Sequence, residues 1–425
     1  MKQERYISTK SGVNGFSFAN LGLFTGFGDG IISAVYSLIL LDIWKSPELV
    51  GIYSSAYFAF GLIVQIFFGE MLRLFSKAKL FYFGLASIAG CYVLLSFSVK
   101  PATFLALDFF TEVPLILIMT LIPLFMADFA GRDGLARMNG RYHFWLNVGC
   151  LFAPMIAMQI ADMFGNRTAF FASAVVYFAG LLMFRRYKIV QEDKKMPKLS
   201  PKRTIKSVRR GMAAYFGNPE FRRAYAVNFG YYAMKSLRLL YWPILVIQDG
   251  FSKDALGLAL TLGVVPYVLL SEPAGAIARR FGSRGTRIGL ATAFLLFAGC
   301  SFVLFFAEGY WMMALFMLTQ VSGAVQESLH DMVFFDAAKR SEQDRFYGVF
   351  NTSTNLPKFI MPLIGAAFIF LFDETRAIWL ATGIFGILTT IALLLKGKAI
   401  KYKKQQTQGG TNGEKSGKHT RIDPV

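Results

Sequence analysis

Apolar runs of about 20 residues, the length at which an α-helix crosses a bilayer, recur along this chain and dominate what it can fold into. Six lie near 16–40, 50–72, 80–98, 102–126, 143–164 and 167–186, and six more near 224–247, 255–278, 286–307, 310–335, 347–371 and 376–395. Hydrocarbon offers no partner to backbone N–H and C=O groups, so each run is expected to be helical. No stretch between them reads as a soluble domain. The first run is too long, too interrupted and too deep in the chain to read as a cleaved signal peptide. Composition agrees: 55% of the 425 residues are hydrophobic, and 44 are Phe. Cys91, Cys150 and Cys300 fall inside apolar runs without disulfide or zinc spacing, and read as small packing residues.

The charges set an orientation. With a cytoplasmic N-terminus, 37 of the 45 Lys and Arg residues fall in inside segments. The outside loops hold only Lys45, Lys100, Arg167, Lys253 and Arg376, while Lys235, Arg238 and Lys358 sit within helices. This bias predicts a multi-pass protein of the cell (inner) membrane with both termini cytoplasmic. The net charge of +19 is then a topology signal, and no nucleic-acid partner is expected without a soluble module to carry it.

The one long inside loop, 187–223, carries eleven Lys and Arg, with Arg185 and Arg186 just before it, three prolines and "KRTIKSVRRGMAAYFG". It reads as a linker with a short helix lying on anionic headgroups. The tail from Lys396 is polar, low in complexity and expected to be disordered. The predicted organisation is thus a six-helix half over 1–186, a basic linker over 187–223, a second half over 224–395 and a tail over 396–425.

The two halves repeat. "GEMLRLFSKAK" at 69–79 and "GAIARRFGSRG" at 275–285 are 206 residues apart. "RYHFWLN" at 141–147 and "RFYGVFN" at 345–351 are 204 apart, and Asp128 and Asp336 are 208 apart. Three landmarks at nearly one offset predict an all-α integral membrane fold of twelve transmembrane helices in two pseudo-symmetric six-helix bundles, related as a parallel repeat.

Within the second loop, Gly275, Ile277, Ala278, Arg280, Phe281, Gly282 and Arg284 resemble the glycine- and arginine-rich motif of the major facilitator superfamily, which joins the second and third helices of each half. Arg73 and Arg279 stand where that family usually has an aspartate, and Ser76 replaces a glycine. The resemblance implies a secondary transporter whose loop cations hold the cytoplasmic side shut in one state. Arg73 or Lys77 would then pair with Asp128, and Arg279, Arg280 and Arg284 with Asp336. "GCLFAP" at 149–154 also resembles the family's antiporter motif, with Ala153 in place of a glycine. A small-residue face of that kind equally serves plain helix packing.

Charges at membrane depth are costly and usually functional. Asp29, Lys235, Arg238 and Lys358 all count to near mid-membrane, with Pro357 and Pro362 close to Lys358 as a source of a kink. By the repeat Asp29 maps between Lys235 and Arg238, and the resemblance, which implies that helices 1, 4, 7 and 10 line a central cavity, has it face them from the opposite half. Asp108 and Glu112 share a face of helix 4, lining a wet vestibule or a proton path. Glu327, His330 and Asp331 share a face of helix 10. Their Glu-x-x-His spacing lacks the matching partner helix of a metal site, so a proton relay or inner gate is the reading. Aromatics such as Tyr231, Tyr232, Tyr241 and Trp242 are further candidates for the cavity wall.

No Gly-x-x-x-x-Gly-Lys-Ser/Thr loop occurs, so ATP drive within the chain is not expected. The sequence therefore predicts a monomeric, non-enzymatic carrier of a small molecule, coupled to protons, without cofactor or metal. The cations favour a substrate with an anionic group. Export of amphipathic or cationic compounds through Asp29 is the alternative, and a non-transporting receptor or scaffold a second one.

Overall fold

The computed structural model describes residues 15–129, 135–187, 209, 211–338 and 340–395. The tail and the linker from 188 to 208 lie outside the described residues. Helices account for nearly everything else, and no strand occurs among the described residues. The first half contains α1 (Gly15–Trp44), α2 (Pro47–Leu74), α3 (Lys77–Phe97), α4 (Pro101–Phe129), α5 (Leu135–Phe164) and α6 (Thr168–Arg186). The second contains α7 (Pro219–Gln248), then a run over Lys253–Phe306, then α10 (Gly309–Ala337), α11 (Arg340–Phe372) and α12 (Ile378–Leu394).

The Lys253–Phe306 run is two helices joined at one residue. Gly282 has φ 62° and ψ −158°, outside helical values. A side chain there would meet no neighbour, so the glycine serves the left-handed backbone rather than close packing. We call the arm at 253–281 α8 and the arm Gly282–Phe306 α9. A single glycine thus makes the sharp turn within the arginine-rich motif.

Ten of the helices are long and apolar enough to cross a membrane. The two outside that set, α7 and α10, are 30 and 29 residues long, which matches the others. What separates them is polarity. Lys235 and Arg238 interrupt α7, while Gln320, Gln326, Glu327, His330 and Asp331 interrupt α10. These two helices carry much of the candidate site.

Termini follow local chemistry. Pro47 and Asn218–Pro219 open α2 and α7, and Asn218 Oδ1 accepts from the Glu220 backbone N–H at 2.9 Å. Ser76 and Ser252 cap α3 and α8 in the same manner, which satisfies donors a helix start leaves bare.

In the first half α1 is central and packs on α5, α6 and α4. Gly22, Gly26 and Gly30 repeat every four residues and meet Tyr142, Leu146, Cys150 and Ala153 of α5. At Gly26 an added Cβ would collide with the Leu146 carbonyl, and Cys150 Sγ donates to the Gly26 carbonyl at 3.2 Å. Gly149, within "GCLFAP", lies against α1 backbone from Leu23 to Phe27. That stretch serves close helix packing of the small-residue kind.

The halves meet along two helix pairs, α2 with α11 and α5 with α8, and more lightly along α1 with α7. Gly257 of α8 faces Met155 and Met158 of α5. Gly51 of α2 faces Tyr241 of α7 and Pro362 and Ala366 of α11. Where α7 begins and α12 ends, Arg223 ties helix ends of the second half together. It donates to Glu220 at 2.6 Å and to the Leu395 carbonyl at 2.6 Å, and Arg287 reaches the same Glu220 at 3.0 Å. The described end of the linker, 211–216, buries Tyr215 against Phe221 and Phe346, with ring centroids 5.1 and 5.9 Å away. That end docks on the second half through the Tyr215 ring.

Candidate functional site

Helices α1, α4, α5, α7, α10 and α11 bring ionisable side chains to the region between the halves. On the C-terminal side the centre is Glu327. Lys235 Nζ lies 3.1 Å from its Oε1, and Tyr231 Oη donates to the same oxygen at 3.0 Å. Lys235 also donates to Tyr231 Oη at 3.2 Å. The spacing explains the cluster, because Tyr231 and Lys235 are one turn apart on α7 and present both groups to α10. The other carboxylate oxygen takes Asn147 Nδ2 of α5 at 3.4 Å. This single carboxylate therefore has partners in both halves.

His330 lies beside it. Its ring stacks on Tyr231 with centroids 4.4 Å apart. Nδ1 sits 3.0 Å from the Gln326 carbonyl, so that nitrogen carries the proton, and Nε2 lies 3.5 Å from Asp331. Among the described residues, no group of three or more His, Cys, Asp and Glu side chains is arranged to hold a metal ion.

The sequence reading passes over His143. This α5 residue lies one turn before Asn147, and its ring is within electrostatic reach of Glu327, Asp331, His330 and Lys235 of the other half. Among the described residues, its buried Nδ1 has no hydrogen-bond partner. The available signal is its i,i+4 spacing to Asn147, which puts a titratable ring and an amide on one helix face.

On the N-terminal side Asp29 is held by the Tyr177 hydroxyl, and Ser173 of the same helix donates to the Gly28 carbonyl at 3.0 Å. The cation whose charge acts on Asp29 is Lys358 of α11. This differs from the expected pairing with Lys235 and Arg238, which are engaged by Glu327 and Tyr267. Lys358 also interacts with Glu112, and its ammonium lies 5.9 Å from the Phe58 ring centroid. One lysine of the second half thus serves two acids of the first.

Asp108 and Glu112 do not line a wet vestibule, being only 2% and 7% exposed. Asp108 accepts from Tyr36 at 2.7 Å and Tyr53 at 2.9 Å, which fixes it among α1, α2 and α4. Glu112 lies against Gly61 of α2, where a side chain would displace its carboxylate. The tyrosines that hold these acids carry polar tips on apolar helices, a weak sequence signal.

Arg238 is 4% exposed. Its Nη2 donates to Tyr267 Oη of α8 at 2.8 Å. Its guanidinium carbon lies 6.0 Å from the Tyr267 ring centroid and 5.8 Å from that of Phe297. Among the described residues no carboxylate pairs with it, and its Nε is buried without an acceptor. Ring faces return about 0.5–2 kcal/mol to a cation. Withdrawing an ion from water costs several kcal/mol. The charge is therefore only partly compensated.

Of the expected cytoplasmic gate, Gly282 makes the turn, and Arg280, Arg284 and Asp336 are exposed. The arginine whose charge acts on Asp336 is Arg287. Lys77 begins α3. The side chains of Arg73, Asp128 and Arg279, and the surroundings of Gly275, lie outside the described residues.

The family model described as Major Facilitator Superfamily matches residues 18–241 and again 224–424, once per half. No curated protein matches the sequence. Among solved structures, the fold is similar to a crystal structure of the peptide transporter POT in complex with sulfate. The TM-score is 0.70 at 13% identity, covering 92% of this chain and 96% of that one. It is also similar to a D-xylose-proton symporter, with TM-score 0.71 at 14% identity, covering 89% and 96%. At such identities these likenesses speak to the fold. The family match spans both halves of the sequence and shows that this chain belongs to the major facilitator superfamily, as a multi-pass membrane transporter and not an enzyme.

Proposed function

We propose that the protein is a proton-coupled secondary transporter that moves a small solute bearing an anionic group by alternating access. The observation that carries the reading is Glu327, one carboxylate bonded by Lys235 and Tyr231 of its own half and by Asn147 of the other. A proton on Glu327 removes the charge that neutralises Lys235 and weakens the Asn147 contact. The released ammonium can then bind an anionic group while the contact between halves loosens. One titration would thus join proton, substrate and conformation, which coupling requires. Asp29, Glu112 and Lys358 form a second set across the same boundary, while Asp108, His330 and Asp331 flank the route. A fold shared with a D-xylose-proton symporter supports proton coupling.

The loop cations close the cytoplasmic side, with Arg73 and Lys77 acting on Asp128, and Arg279, Arg280 and Arg284 on Asp336. Arg287 joins them. The carrier works as a monomer in the cell membrane with both termini cytoplasmic, and the halves 1–186 and 224–395 rock about the site. One observation favours the alternative of cation export: the charge of Lys358 acts on both Asp29 and Glu112, so that face grows more negative when Lys358 withdraws.

The test is a thermal-stability screen of anionic, neutral and cationic solutes on purified protein. Uptake of the best stabiliser into proteoliposomes follows, with and without an imposed pH gradient. Anionic stabilisers and gradient-driven accumulation are expected. Uptake indifferent to the gradient refutes proton coupling. A preference for cations transfers the reading to export, and absence of any flux supports the receptor or scaffold alternative.

A further inference from the structure

We propose that the groove where α9 meets α10 is a docking site for one phospholipid whose headgroup is a primary amine. The groove lies apart from the charges between the halves, so it stands or falls independently of proton coupling. The two helices are joined by Ala307 and Glu308 alone, at the end of the second half remote from the linker. There they leave a groove of about 480 Å³, lined by Val303, Phe306, Ala307, Glu308, Trp311 and Leu315.

The apolar part is a track. Val303 and Phe306 are one turn apart on α9, and Trp311 and Leu315 one turn apart on α10, so each helix supplies one edge. Gly299 continues the α9 edge by another turn. A Cβ there would meet nothing within 4 Å, so this glycine leaves the track open and seats no neighbouring helix. From Phe306 to Gly299 the track runs roughly 10 Å along the helix, a shape for an extended chain and not for a compact solute. Phe306 and Trp311 are each 78% exposed at helix ends, the level at which aromatic side chains meet headgroups.

The rim selects the headgroup. Arg376 is shared by three carboxylates, Asp249 at 2.7 Å, Glu308 at 2.8 Å and Glu374 at 3.7 Å. Negative charge is therefore in excess at the mouth of the groove. Among the described residues, Oε1 alone of the Glu308 carboxylate is bonded. The side chain is 76% exposed, so Oε2 is open to a donor from the membrane. This rim repels an anionic headgroup. An ammonium donates to the carboxylate in a charge-assisted hydrogen bond, whereas a choline head has no N–H to give. Trp311 brings an indole N–H to the same groove, a donor for the lipid phosphate.

The test uses full-length protein in phosphatidylcholine nanodiscs, with increasing amounts of a lipid whose acyl chains are brominated. Its headgroup is ethanolamine, choline or glycerol in three parallel series. Bromine quenches tryptophan on contact, and the Trp311 component is the emission that Trp311→Phe removes. The ethanolamine lipid should quench that component at a mole fraction about twofold to fivefold lower than the other two, the reach of an exposed ion pair. Glu308→Gln should bring the three headgroups onto one curve. Gly299→Phe fills the track and should weaken quenching by the ethanolamine lipid while Glu308 stays in place. Equal curves for the three headgroups in wild type, or a preference for glycerol, overturn the amine class. An ethanolamine preference that survives in Glu308→Gln overturns the rim as its receptor, and one undiminished in Gly299→Phe overturns the track. Soluble phosphoethanolamine that relieves the quenching as well as unlabelled lipid does overturns a phospholipid as the occupant. If Glu308→Gln does not fold, the wild-type curves and Gly299→Phe decide. Proton-driven uptake is a separate measurement, and loss of headgroup selection leaves that reading standing.

Discussion

Replacing Glu327 with Gln keeps size and one accepting oxygen but removes both the charge and the proton site. The side chains of Lys235 and Glu327 are 29% and 10% exposed. That lies between exposed pairs, worth about 0–1 kcal/mol, and fully buried ones, where losing one partner costs about 3–5 kcal/mol. The variant should therefore lose roughly 2 kcal/mol of stability. Glu327→Gln with Lys235→Met should recover most of it, since removing both members of a buried pair is often neutral. The functional effect is larger. A carrier coupled to one proton, under a gradient of one pH unit, can concentrate solute about tenfold, because one unit is about 1.4 kcal/mol. In proteoliposomes, Glu327→Gln should still exchange solute down its gradient yet bring the accumulation ratio to about one. Stability is read by thermal unfolding and accumulation by labelled-solute uptake. Accumulation near tenfold in Glu327→Gln, with a stability loss of the size given, would show a static ion pair and refute the coupling argument.

Asp29→Asn should likewise preserve exchange and lose pH-driven accumulation. A static link between halves would instead lower yield and keep coupling in whatever protein folds. Lys358→Gln leaves Asp29 and Glu112 without their cation, so affinity for an anionic solute should fall at least tenfold in a binding titration, and unchanged affinity rules the lysine out. Neutralising Arg279, Arg280 and Arg284 together should favour the inward-open state, read as faster labelling of a cysteine placed near Asp336. Unchanged labelling leaves these arginines only their part in orientation. Gly26→Val should cost about 1–3 kcal/mol by overpacking, visible as a lower unfolding midpoint, and wild-type stability would contradict the close approach of α1 to α5.

The architecture was legible because a bilayer imposes one length and one pattern on every span. Even α7 and α10, too polar to pass on apolarity alone, follow from the repeat and from the charges that make them polar. The turn at Gly282 was legible as a glycine in an arginine-rich motif, although no pattern in the sequence shows a joint one residue long. The site was legible as a set of intramembrane charges but not as pairs. The repeat places Asp29 at the depth of Lys235 and says nothing of the direction in which each side chain points. Each residue turns about 100° around a helix axis, so a small error in phase exchanges one neighbour for another. That is how Lys358 comes to act on Asp29, and Tyr267 to take Arg238. His143 gives only a faint signal in the sequence, because its own segment offers it one amide, Asn147, and no charged partner. Its partners come from the opposite half.

The glycine seam between α1 and α5 has a mechanical consequence. Backbones in direct contact leave no layer of side chains to shear, so these two helices should travel as one stiff lever. One arm carries Asp29. The other lies against α8 along the boundary between the halves and, at Asn147, touches Glu327. A tilt that opens the α5–α8 boundary must then carry Asp29 with it in the same stroke. Solvent access at that carboxylate and the angle between the halves would be two readings of a single coordinate, with no signalling path needed to keep them in step.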